Sequence, residues 1–155
     1  ANIPAIMIPR LMFGCFAGLR SSEIERLTWE DVRLDVGQLF MTKGKNKNSE
    51  RFVTLTPPLL DWCKKMLDGG ATGPVLKGFG SKDVYKIQKR LCKAAGVNIP
   101  NNALRHSYGS HHLVHHASEG NTAAEMGHHT AQMTFQAYRR AVTKVQAAAY
   151  WDIRV

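Results

Sequence analysis

Residues 102–112 read NALRHSYGSHH and residues 126–140 read MGHHTAQMTFQAYRR, and the interpretation of the chain turns on this pair. The first stretch sets Arg105 beside His106; the second pairs Gly127 with His128 and places Tyr138 ten residues further on. Upstream, Arg20 stands three residues before Glu23, and Lys43, Lys45 and Lys47 crowd a polar loop in between. These residue types suit one task, which is to hold and attack a phosphodiester. A guanidinium stays protonated and its planar fork grips two phosphate oxygens at once. A lysine supplies a proton to a departing oxygen, and a tyrosine can store the broken bond as a covalent intermediate.

Composition agrees with that chemistry without requiring it. A chain of 155 residues with 44% hydrophobic content is the size of one domain and can bury one core. Of the formal charge of +9, nearly all arises between residues 36 and 93, where twelve basic side chains face four acidic ones. A basic surface so concentrated suits a polyanion, because neutralising phosphates releases counterions. The three cysteines, Cys15, Cys63 and Cys92, are scattered and form no CxxC pair, which fits a reduced, cytoplasmic compartment. Pro4, Pro9 and Arg10 interrupt the apolar opening and argue against a membrane span.

Periodicity predicts a mainly α-helical domain with a small antiparallel sheet. Leu11–Ala17 reads as a buried helix broken by Gly18, and Ser22 with Glu25 as the capping box of a second helix. On this reading Arg20 sits at a helix entrance, where Glu23 braces its guanidinium. Gln38–Thr42 and Arg51–Leu55 look like the strands of a hairpin, with a further helical turn at Thr28–Val32 before them. Further helices are expected from Pro57 to Asp68, from a Ser81 cap to Gly96, over Ala103–His116, and from a Thr122/Glu125 box to Gly127. Two more are expected over Thr130–Arg139 and Val142–Trp151. Trp29, Trp62 and Trp151 are assigned to the core, together with Tyr85, Tyr108 and Tyr150.

Four motifs, in order, resemble the catalytic domain of the tyrosine recombinase (phage-type integrase) family. AGLRSSEIERLTWEDV (17–32) is similar to its first arginine motif, and MTKGKNKNSERFVTL (41–55) to the hairpin that bears its lysine. NALRHSYGSHH is similar to the His-x-x-Arg box and MGHHTAQMTFQAYRR to the terminal Gly-His and tyrosine motif. The resemblance implies strand cleavage and rejoining through a 3′-phosphotyrosine, with Arg20, Lys45, Asn102, Arg105, His128 and Tyr138 as the catalytic set. It also implies double-stranded DNA as partner, no metal or nucleotide cofactor, and a tetramer on DNA from a fragment that is monomeric when free. Lys45 is chosen for the lysine by position, ahead of Lys47 and Lys43. Asn102 departs from the pattern, since asparagine hydrogen-bonds a phosphate oxygen but cannot shuttle a proton. The family's amino-terminal DNA-clamping domain has no counterpart in this sequence. With Asn102, that motivates a second expectation, a DNA-binding module that no longer catalyses.

The histidines form another pattern. His111 with His115, and His112 with His116, stand four apart on the predicted helix, the spacing of a metal-binding pair. No glutamate follows as in the metalloprotease motif and no cysteine is near, so a functional metal site is not expected. His106 is assigned to packing, with a back-up phosphate ligand as its alternative role, and His129 is the substitute for His128 in a shifted alignment.

Overall fold

The computed structural model describes residues 3–41, 50–128, 130, 132, 138 and 142–154. The expected first helix forms as α1 (Met7–Phe16) and buries Met12, Phe13 and Phe16. The second, α2 (Ser21–Arg26), begins earlier than the Ser22/Glu25 box predicts. Its N-cap is Arg20, and the Glu23 carboxylate reaches back to accept the Arg20 N–H at 2.7 Å. Glu23 wins that place because it is itself buried, whereas Glu25 faces outward. A 3-10 turn, Trp29–Asp31, leads into a strand too short to show alternation in the sequence, β1 (Val32–Arg33). It joins the predicted hairpin, β2 (Gln38–Met41) and β3 (Arg51–Thr54), in an antiparallel sheet of order β1-β2-β3. Leu39 and Val53 are partners on the buried face, while Phe40 pairs with Phe52 on the other.

The remaining described helices are α3 (Pro57–Asp68), α4 (Ser81–Ala95), α5 (Ala103–His116), α6 (Glu119–Met126) and α7 (Lys144–Trp151). Gly80, not Ser81, is the N-cap of α4, and Gly96 ends it in the left-handed conformation at φ 65°. Ser118 caps α6 in place of Thr122, its Oγ accepting the Asn121 N–H at 3.2 Å. Thr122 and Glu125 are drawn elsewhere: Thr122 is wholly buried against α5, and Glu125 reaches across to β3. Val75 and Leu76 are buried without forming a strand; a single bridge joins Thr28 to Pro74. The helix expected over Thr130–Arg139 falls mostly outside the described residues. Among the described residues no helix is long and apolar enough to cross a membrane.

Helix α5 is the hub, packing against α1, α6 and α7. Tyr108 is fully buried there, against a backbone that Gly18 turns at φ 62° with the Tyr108 ring where a Cβ would stand. Phe13, Trp29 and Trp62 form a second cluster between α1 and α3, with ring centroids 5.4 to 6.2 Å apart. Tyr85 departs from its assignment to the core: it is 48% exposed on α4. Its neighbours Lys82, Lys86, Lys89, Arg90 and Lys93 are exposed as well.

His111 and His112 of α5 serve packing. His111 stacks on Tyr150 with centroids 3.8 Å apart, and its Nδ1 meets the Ser107 carbonyl at 2.7 Å. His112, buried, has Nδ1 2.8 Å from the Thr122 hydroxyl. That hydroxyl gives its single proton to the Ser118 carbonyl, so His112 Nδ1 must be the donor. Burial, then the neighbouring His116 and His115, hold the His112 pKa down at about 3.

The unfolded chain therefore takes up this proton first. Stability is full above about pH 6.5 and declines as pH falls toward the folded value. The expected loss between pH 6.5 and 5 is about 2 kcal/mol. Urea unfolding across that range is the measurement, and His112→Gln should remove this part of the slope while leaving the part contributed by His128 and His116, whose pKa values are also lowered.

Candidate active site

Arg105, in the first turn of α5, is the residue from which the site is built. Its side chain is buried; Nη1 donates to the Gly18 carbonyl and Nη2 to the Met126 carbonyl at 2.6 Å. Gly18 lies two residues before Arg20 and Met126 two residues before His128. One guanidinium thus fastens together the two turns that carry the other candidates. Burial, followed by the like charge of Arg20, lowers the Arg105 pKa to about 10, which still leaves it charged at neutral pH.

Arg20 reaches out from the cap of α2, its side chain 44% exposed. Its Nη1 lies 3.0 Å from Glu23 Oε1, as the sequence predicts, and its Nη2 donates to the Gly127 carbonyl at 3.3 Å. Glu23 also binds a residue that the sequence marks only as the start of a predicted strand. Arg51 Nη1 and Nη2 meet its two oxygens at 3.1 and 3.3 Å, and Arg51 Nε donates to the Glu125 carbonyl at 2.9 Å. Burial pushes the Glu23 carboxyl up, but the hydrogen bonds and charge of Arg51, then those of Arg20, outweigh it and leave it below its ordinary value. The Glu125 carboxylate completes the clamp, accepting from Thr54 N–H and Oγ at 2.8 and 2.6 Å. Strand β3 is thereby locked to α6. Nothing in the spacing of Glu23 and Arg51, 28 residues apart, signals this pairing.

Tyr138 is 3% exposed, its ring laid over Gly109 of α5. A Cβ on Gly109 would stand 2.8 Å from the Tyr138 ring, so only glycine permits this approach. His128 lies parallel to the ring, with centroids 6.2 Å apart and planes 11° apart, and His106 flanks it at 5.5 Å. His106, assigned to packing, is in fact exposed beside the phenol. Burial raises the Tyr138 pKa, opposed by the charges of Arg105 and Arg20. Burial and then Arg105, Arg20, Arg51 and His106 hold His128 down at about 4, so its imidazole is neutral at neutral pH.

The structure therefore brings Arg20, Arg105, His128 and Tyr138 together. Asn102 caps α5 three residues before Arg105, exposed and left-handed at φ 60°, a conformation asparagine tolerates better than most residues. Lys45, Lys47 and Lys43 lie outside the described residues, as does His129. Among the described residues no cluster of three or more metal-ligating side chains occurs.

The model of the phage integrase family matches residues 5–144, most of the chain. The chain belongs to the phage integrase family. Tyrosine recombinase XerA from Pyrococcus furiosus is 28% identical over 148 residues, covering 89% of this chain and 50% of that protein. XerA from Pyrococcus horikoshii is likewise 28% identical, over 153 residues, covering 92% and 52%. The chain thus spans about half the length of the curated relatives it matches. The fold is that of the XerA recombinase crystal structure, with a TM-score of 0.70 at 16% identity over 97% of this chain and 57% of that one. It is also that of the integrase from mycobacterium phage Brujita, with a TM-score of 0.68 at 20% identity over 96% and 57%. A λ integrase fragment solved as a dimer bound to a core site aligns with a TM-score of 0.66 at 14% identity, over 92% and 56%.

Two substitutions test this architecture. Arg51→Ala leaves Glu23 with Arg20 as its remaining partner and should cost about 2–3 kcal/mol in urea unfolding. Gly109→Ala should displace the Tyr138 ring, read as a change in the ring-current shifts of His128 by NMR, while α5 itself stays helical.

Proposed function

We propose that this chain is the catalytic domain of a site-specific DNA recombinase that cleaves and rejoins strands through a bond to Tyr138. The observation that carries the reading is the convergence of two arginines and an imidazole around one buried tyrosine. Arg20 and Arg105 would hold the non-bridging oxygens, stabilising the charge that builds as phosphorus becomes five-coordinate. They supply the positive charge that metal ions provide in other phosphoryl-transfer enzymes. The neutral His128 donates one N–H to the same phosphate.

In the first step the Tyr138 oxygen attacks phosphorus, the bond to the 5′ oxygen breaks, and a 3′-phosphotyrosine forms. Burial keeps the phenol protonated until then, and its proton leaves through one of the two flanking imidazoles. The 5′ oxygen departs as a hydroxyl, protonated by Lys45 of the hairpin. Reversal with a new 5′ hydroxyl rejoins the strand and needs no external energy, since the phosphotyrosine conserves the bond. Asn102 would steady a phosphate oxygen without moving a proton. We further propose that a separate DNA-clamping domain adds affinity and that four copies assemble on two sites.

Incubation with nicked duplex DNA, followed by mass spectrometry of the adduct, tests the reading. Wild type should yield a covalent adduct on Tyr138. Tyr138→Phe should yield none while melting normally and binding DNA equally well. Arg105→Lys should lower the cleavage rate about 10²-fold or more, through loss of the bidentate clamp. Retained adduct in Tyr138→Phe would refute the assignment, and DNA binding without any adduct would instead identify an inert binding module.

A further inference from the structure

Tyr138 must lose a proton to attack phosphorus, and few of its neighbours can take one. Arg105 and Arg20 are cations whose charges already bear on the phenol. The Glu23 carboxylate is committed to Arg20 and Arg51. Asn102, exposed at the cap of α5, carries an amide that accepts no proton at neutral pH. Two imidazoles remain among the described residues, His128 and His106, with ring centroids 6.2 and 5.5 Å from that of Tyr138.

Their surroundings divide them. His128 is part-buried amid the positive charges of Arg105, Arg20 and Arg51, which with burial hold its pKa at about 4. A proton added there would set a further cation against those arginines with incomplete hydration. His106 is exposed, so water screens the imidazolium that it would become. It follows Arg105 directly on α5, its N–H bonded to the Asn102 carbonyl at 2.8 Å. The helical turn that seats the buried guanidinium therefore also seats this imidazole beside the phenol. Among the described residues no hydrogen bond engages the ring nitrogens of His106, whereas His111 and His112 each have Nδ1 occupied.

We propose that His106 is the base of the cleavage step, taking the Tyr138 proton, while His128 serves only as a donor to the phosphate. This assignment rests on the DNA-cleaving reading above. A ring nitrogen of His106 accepts the proton as the Tyr138 oxygen bonds phosphorus and the bond to the 5′ oxygen breaks. The 5′ oxygen leaves with a proton of its own, from Lys45. On rejoining, the attacking 5′ hydroxyl returns its proton to Lys45, and the imidazolium of His106 reprotonates the departing Tyr138 oxygen.

The test measures single-turnover cleavage of nicked duplex with either tyrosine or difluorotyrosine at position 138. The fluorinated phenol is more acidic and so depends less on a base. His106→Ala should lower the rate about 10²-fold with tyrosine, and the deficit should shrink about tenfold or more with difluorotyrosine. His128→Gln should lower the rate by the same factor with either nucleophile. A His106→Ala rate equal to wild type, or a deficit that fluorination leaves unchanged, would overturn the assignment and leave the proposed function standing. Relief of the His128→Gln deficit by fluorination would make His128 the base and equally overturn it. Wild type that binds duplex but forms no adduct would remove both readings. Should His106→Ala fail to fold, His106→Gln carries the same comparison.

Discussion

A buried guanidinium satisfied by carbonyls is the constraint on which the site depends. Arg105 gives its donors to Gly18 and Met126, and these bonds set where the turns carrying Arg20 and His128 lie. Backbone carbonyls meet the hydrogen-bonding needs of the cation while leaving its charge largely uncancelled. The consequences are visible nearby. The imidazole of His128 is held neutral and the phenol of Tyr138 feels two positive charges against its burial. An anion entering this place meets charge that has already been desolvated and oriented.

Glu23 performs the opposite task. It is the carboxylate that cancels charge at the edge of the site, shared between Arg20, which points outward, and Arg51, which ties down β3. Because Arg51 also bonds the Glu125 carbonyl and Glu125 bonds Thr54, the base of the hairpin and the end of α6 behave as one piece. Arg51 is neutralised by Glu23, whereas among the described residues no carboxylate pairs with Arg105.

Much of this was legible in the chain because the signals are local. The apolar run of α1, the proline start of α3, the glycine stop of α4 and the span of α5 follow from propensity and capping. Where reading failed, a tertiary demand displaced a local one. Ser22/Glu25 and Thr122/Glu125 have capping spacing, but Glu23 is bound by Arg51 and Thr122 by His112, so the caps moved to Arg20 and Ser118. Strand β1 exists only through its pairing with β2, and two residues carry no periodicity.

The sequence by itself determined the chemical types of the site and their order along the chain, since arginine, histidine and tyrosine at those positions are properties of the string. It also determined the helical framework, because helices are written in near-neighbour spacing. Only the tertiary structure decided that Arg105 spends its donors on two distant carbonyls. Only it decided that Gly109 admits the Tyr138 ring and that His106 flanks the phenol. Each of these depends on which surfaces meet when α5 packs against α1 and α6. That is a matter of shape and burial among residues far apart in sequence, which no local pattern records.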